Sequence, residues 1–240
     1  MGDGQRVYGI LLAAISALTL VACSGDSSSD DGAEFTSTFA AAKDDLVTIG
    51  RNPYLILEPG HTLVLEGDGE KLTITVLNET KVVDGVETRV VEERETKDGK
   101  IAEITRNYLA ISKRTNDVFY FGEDADFYKD GKVDNHHGSW LSGVNGAKFG
   151  LLMPGQPMVD SKYYQEIAPK VAEDRAKIVS LNKTVKTPAG EFAEVLQVEE
   201  TNPLEKKAGR ELKYYAKGIG LVLDGELKLV KVETAAAPRN

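Results

Sequence analysis

Residues 71–113 read KLTITVLNETKVVDGVETRVVEERETKDGKIAEITRNYLAISK. Leu72, Ile74 and Val76 alternate with Thr73 and Thr75, the period-two pattern of a half-buried strand. Asp84-Gly85 and Asp98-Gly99 follow at strand-length spacing, and both residue types tolerate the positive φ of a tight hairpin turn. Val86 to Thr96 and Lys100 to Lys113 therefore read as two long antiparallel strands joined by Asp98-Gly99. The stretch commits the chain to an antiparallel meander.

The same punctuation continues outward. Glu58-Pro59-Gly60 is a turn, Asp130-Gly131 and Asp224-Gly225 are further hairpin turns, and Asn52-Pro53-Tyr54 opens the ordered body. Strands are expected at Val118 to Gly122, Ser161 to Ile167, Lys177 to Val185, Phe192 to Glu200, Arg210 to Ala216, Leu221 to Leu223 and Glu226 to Val232. Pro169 to Arg175, with its leading proline, is expected to form a short helical turn. Tyr108-Leu109-Ala110 and Tyr214-Tyr215-Ala216 sit at matching places in two faintly similar halves, joined by residues 123–175. The expected class is mostly β with little helix: an antiparallel meander forming a curved sheet or half-barrel, built of two similar halves or of one run of look-alike hairpins.

Ahead of the body, Gly9 to Ala22 are apolar or small, and too few for a bilayer span, which needs about 20 residues. They fit the core of a secretory signal, and Leu20-Val21-Ala22-Cys23 resembles the lipobox of bacterial lipoproteins. The resemblance implies cleavage before Cys23, acylation of its thiol and acylation of the new amino terminus. Residues 1–22 are then a signal peptide, 23–46 a lipidated tether and 47–240 the β-rich body. Ser24 to Gly32, all serine, glycine and aspartate, cannot bury anything and would act as a flexible spacer. Ser24 after the cysteine, by the same resemblance, implies the periplasmic face of the outer membrane in a Gram-negative host. The words Tyr120-Phe121-Gly122-Glu123-Asp124, Gly138-Ser139-Trp140, Gly143-Val144, Gly146-Ala147-Lys148, Met153-Pro154 and Ala172-Glu173-Asp174 resemble an exported β-rich bacterial family. That likeness carries no activity across. Val185 to Phe192 followed by Tyr215 to Val222 more loosely resembles the half-barrel of periplasmic lipoprotein carriers.

The formal net charge is −9 and the pI about 5.0, which excludes the basic footprint that nucleic acid requires. Cys23 is the sole cysteine, so a lipidated chain has no disulfide and the fold rests on its core.

Two stretches could hold a ligand. Glu123, Asp124 and Asp126, then His136 and His137, offer oxygen and nitrogen donors for a divalent metal. Asp130-Gly131 falls too late for an EF-hand loop, however, and adjacent histidines on a strand point to opposite faces. The competing account is a solvated acidic hairpin. The second stretch, Gly143 to Gly155, reads as a long connection that caps the core or lines a pocket, where Trp140, Phe149 and Met153 would meet an apolar ligand. Gly138 to Gly143 is not a nucleophile elbow, and Gly67-Asp68-Gly69 lacks the third glycine of a phosphate loop. The reading is a lipid-anchored, non-enzymatic envelope protein without a cofactor. Its partners are the membrane, through N-terminal acyl chains, and an apolar ligand or an envelope protein. The alternative is a divalent-metal-binding envelope protein using residues 123–137.

Overall fold

Three of the four expected Asp-Gly turns form as read. Asp84, Asp98 and Asp130 hold φ of 49°, 50° and 53°, and the glycines after them 74°, 75° and 75°. Positive φ at both central residues gives the turn whose twist matches that of the flanking strands. Asp68-Gly69, at 50° and 77°, is another turn of this kind. Asp224 does not turn: it ends a strand with its side chain buried, and the reversal falls on Gly225 and Glu226.

The computed structural model describes residues 34–204 and 209–234. The signal segment, Cys23 and the spacer after it lie outside these residues. A 3-10 turn at Lys43–Asp45 precedes β1 (Leu46–Val47), β2 (Gly50–Asn52), β3 (Leu55–Leu57), β4 (Thr62–Gly67), β5 (Glu70–Val83), β6 (Val86–Lys97) and β7 (Lys100–Ser112). Then come β8 (Val118–Lys129), β9 (Lys132–Asn135), β10 (Trp140–Leu141), β11 (Lys148–Met153), β12 (Lys162–Tyr164) and β13 (Glu166–Ile167). The last strands are β14 (Arg175–Thr187), β15 (Gly190–Thr201), β16 (Glu211–Ala216), β17 (Gly220–Asp224) and β18 (Leu227–Glu233).

One antiparallel sheet runs β12-β14-β15-β16-β17-β18-β4-β5-β6-β7-β8-β11-β13. Its two ends, β12 and β13, belong to a single extended segment, so the sheet is nearly closed into a barrel with one seam. At the seam Gln165 N donates to the Asp174 carbonyl at 2.8 Å. Closure removes the open edges that a half-barrel would expose.

The chain departs from the sequence reading in three places. Pro169 to Arg175 forms no helix: Ala168 bridges Ala172 around a tight turn, with Lys170 at φ 66°, and Arg175 begins β14. The acidic stretch after Gly122 is strand, because β8 continues to Lys129. The glycine-rich connection contains β11, which pairs with β8 and β13.

Two apolar cores result. The barrel interior holds Leu57, Leu65, Leu72, Val91, Leu109, Tyr120, Met153, Ile178, Leu196 and Leu229. A second core lies on the outer face of β6–β8, where Val90, Tyr108, Phe119 and Phe121 are covered by Phe39, Leu46, Leu141 and Phe149. Burial on both faces explains the unbroken Val118-Phe119-Tyr120-Phe121 run, since a half-exposed strand would alternate. Residues 35–47 reach this body directly: Thr36 bridges Tyr163, and the Phe35 ring stands edge-on to Tyr164 at 6.1 Å.

Candidate functional site

The inner face of β6 carries Val91, Glu93 and Glu95 by simple alternation, so apolar packing gives way to carboxylates along a single strand. Neighbouring strands do the same. Glu93, Glu103, Glu123, Glu166, Glu200 and Asp224 are all buried, and Lys213 is the buried lysine among them. Lys213 Nζ donates to Glu200 Oε2, whose other oxygen accepts from Gln165 Nε2 at 2.9 Å. Burial alone would lower the Lys213 pKa, but Glu200 and Asp224 hold it well above the ordinary range.

The carboxyl groups respond to the same scarcity of cations. Burial pushes Glu93 up to about 8, with Lys213 opposing through space and Glu103, Asp224 and Glu200 adding to the rise. Burial pushes Glu103 up to about 7, tempered by the Thr105 hydroxyl, and Asp224 to about 7, tempered by Lys213. Glu123 and Glu166 are raised well above the usual carboxylate range, again by burial first. A buried carboxyl without a counter-ion keeps its proton, because desolvation disfavours the charged form.

Glu123 reaches this interior through a bulge. Asn107 pairs with Glu123 and Leu109 with Tyr120, so β8 carries one extra residue between them. Gly122 makes the bulge possible. Its φ is 137°, and a Cβ there would lie 2.3 Å from the Trp140 carbonyl oxygen. The Tyr120 hydroxyl lies 2.6 Å from Glu123 Oε2 and 2.7 Å from Asn107 Oδ1. A hydroxyl has one proton, so a protonated Glu123 donates to Tyr120, which donates to Asn107. Glu123 Oε1 and Asn107 Nδ2 remain without partners.

A cavity of about 70 Å³ opens beside this chain. Tyr54, Ile56, Leu63, Met153, Ile219 and Leu221 form its apolar wall, and His61, Glu93 and Asn107 its polar groups. His61 is 6% exposed, and burial lowers its pKa. Its Nε2 sits 2.8 Å from the Ile219 carbonyl, which can only accept, so Nε2 carries the proton and Nδ1 is a bare acceptor. Nδ1 has no partner. Buried polar atoms are nearly always paired, so His61 Nδ1 and Asn107 Nδ2 stand out as two unmet hydrogen-bonding atoms on residues that line the cavity.

The residues singled out from sequence fall apart in space. Met153 lines the cavity. Trp140 lies edge-on to Tyr120 at 5.3 Å and borders a separate, more open hollow of about 250 Å³ with Asp124, Val144 and Val171. Phe149 stacks on Phe121 at 4.9 Å in the outer core and borders neither. Among the proposed metal ligands, Glu123 points inward while Asp124 points outward to Lys81 and Tyr108. Asp126 pairs with His136 Nδ1 at 2.7 Å on the surface, and His137 is exposed. Among the described residues no three His, Cys, Asp or Glu side chains are placed to hold one metal ion. Glu93, Asn107, Lys213 and His61 were not singled out. The available signal was parity, since Glu93 shares the inward face of Val91.

No family model and no curated protein matches the chain. Among solved structures, it is similar to a putative exported protein with a YmcC-like fold from Bacteroides fragilis. The identity is 16% over 74% of this chain and 97% of that one, with a TM-score of 0.36. That likeness is loose, and no residue role is carried over from it.

Proposed function

We propose that this is an exported, lipid-anchored envelope protein without catalytic activity, whose barrel receives a small, largely apolar ligand in the cavity between Tyr54, Met153 and Ile219. The address rests on the Gly9 to Ala22 core and on Leu20-Val21-Ala22-Cys23. Binding is supported by one observation: an apolar cavity lined in part by His61 and Asn107, whose buried Nδ1 and Nδ2 have no partner within the protein. Apolar walls with a few convergent polar groups are the usual make-up of a ligand site, the walls giving affinity and the polar groups orientation.

Native mass spectrometry of the full chain, released gently from the envelope, tests this reading. A small organic mass should accompany the wild type and be lost from Ile219→Trp, in which an indole takes up space along the cavity wall. The bare polypeptide mass in both samples would overturn the reading.

A further inference from the structure

The two halves of the barrel match by strand register. Across β6–β8 the ladder is Val91, Asn107, Glu123; across β15–β17 it is Val198, Lys213, Asp224. Both hairpins shift register beside these positions, between Asn107 and Leu109 in one and between Tyr214 and Tyr215 in the other. Two residues beyond Val91 lies Glu93, and two beyond Val198 lies Glu200. Each half thus presents two carboxyl groups, Glu93 with Glu123 and Glu200 with Asp224, around one central position. In the second half that position is Lys213, fully buried and bonded to Glu200. In the first half it is Asn107, 1% exposed, shorter, uncharged, and with its Nδ2 unpartnered. The ligand cavity opens at this asparagine and at Glu93.

Resting on the ligand reading above, we propose that the ligand is an apolar amine, its ammonium group paired with Glu93 as Lys213 Nζ is paired with the matching Glu200 in the other half. The apolar wall from Tyr54 to Leu221 takes the hydrocarbon part. Glu93 is 7% exposed, and in the second half a buried lysine stands beside the matching carboxyl, Glu200. The groups that face Glu93 are Lys213, Glu103, Asp224 and Glu200, of which Lys213 is already held by Glu200. An incoming ammonium stabilises ionised Glu93, so binding at neutral pH releases the Glu93 proton. His61 Nδ1, a bare acceptor on the same wall, suits an N–H donor.

The test compares hexylamine, hexanol and hexanoate on the full-length chain in non-ionic detergent. It uses titration calorimetry in two buffers of different ionisation enthalpy. Hexylamine should bind at least ~10-fold more tightly than hexanol and release up to about one proton per molecule at pH 7. Hexanoate should bind most weakly. Glu93→Gln should lose both the preference and the proton release. Asn107→Lys should supply the ammonium internally and abolish amine binding. Equal binding of hexanol and hexylamine, or an unchanged preference in Glu93→Gln, overturns the amine assignment and leaves the apolar-ligand reading intact. Binding of none of the three overturns both.

Discussion

Raising the pH should loosen this protein well before ordinary alkaline denaturation. Glu93 titrates near 4.5 in an unfolded chain and near 8 in the folded barrel. Between those values the folded state binds more protons than the unfolded state, so stability falls as pH rises through that window. At 1.36 kcal/mol per unit, full ionisation of Glu93 costs about 5 kcal/mol, comparable to the whole net stability of many domains. Glu103 and Asp224, each near 7 when folded, act in the same direction. The three groups share one interior, and their costs do not add independently. Glutamine at 93 copies the protonated acid and cannot ionise. Glu93→Gln should therefore match wild type at pH 5 and exceed it by about 2–5 kcal/mol at pH 9. Urea unfolding followed by circular dichroism between pH 5 and 9 measures both curves. Stability that is flat or rising across pH 6–9 in the wild type, or parallel curves for the two proteins, would refute the reasoning.

Lys213→Met leaves Glu200 and Asp224 without their buried counter-ion and should cost about 3–5 kcal/mol at pH 8, shrinking toward pH 5 as Asp224, near 7 in the folded barrel, takes up its proton; urea melts at the two values check this. Gly122→Ala forces a side chain into φ 137° and against the Trp140 carbonyl, so the bulge must yield. The cost should be at least about 2 kcal/mol, with a red shift in emission from Trp140, the single tryptophan, now 6% exposed. Cys23→Ala should leave the full-length precursor in cells and abolish acyl labelling; processing at the same point would overturn the anchor.

The fold was legible because its signals are local. Asp84-Gly85 and Asp98-Gly99 state their turns in two residues, and the Leu72 to Val76 alternation states a strand face. Closure was not legible, since the pairing of β18 with β4 joins residues far apart in sequence. The site was obscured for a related reason. Alternation from Tyr120 would place Asp124 inside, and the bulge at Gly122 hands that place to Glu123. A cluster that reads as a metal-ligand set or a solvated acidic hairpin forms the hairpin but is split, with Glu123 entering the core and the other carboxylates turned outward. Asp224 was hidden by its glycine neighbour, which made a buried strand residue look like a turn. The Tyr108 and Tyr214 words fall at matching ladder positions, and the residue before each tyrosine, Asn107 or Lys213, is where the two ladders differ.

The most direct test of the account is a high-resolution crystal structure of the chain as it comes from the envelope. The account predicts density for a small molecule in the cavity, with a nitrogen within hydrogen-bond reach of Glu93 and its hydrocarbon part against Met153 and Ile219. A cavity closed by repacked apolar side chains, with Glu93 turned out to solvent and Asn107 Nδ2 bonded within the protein, would contradict it.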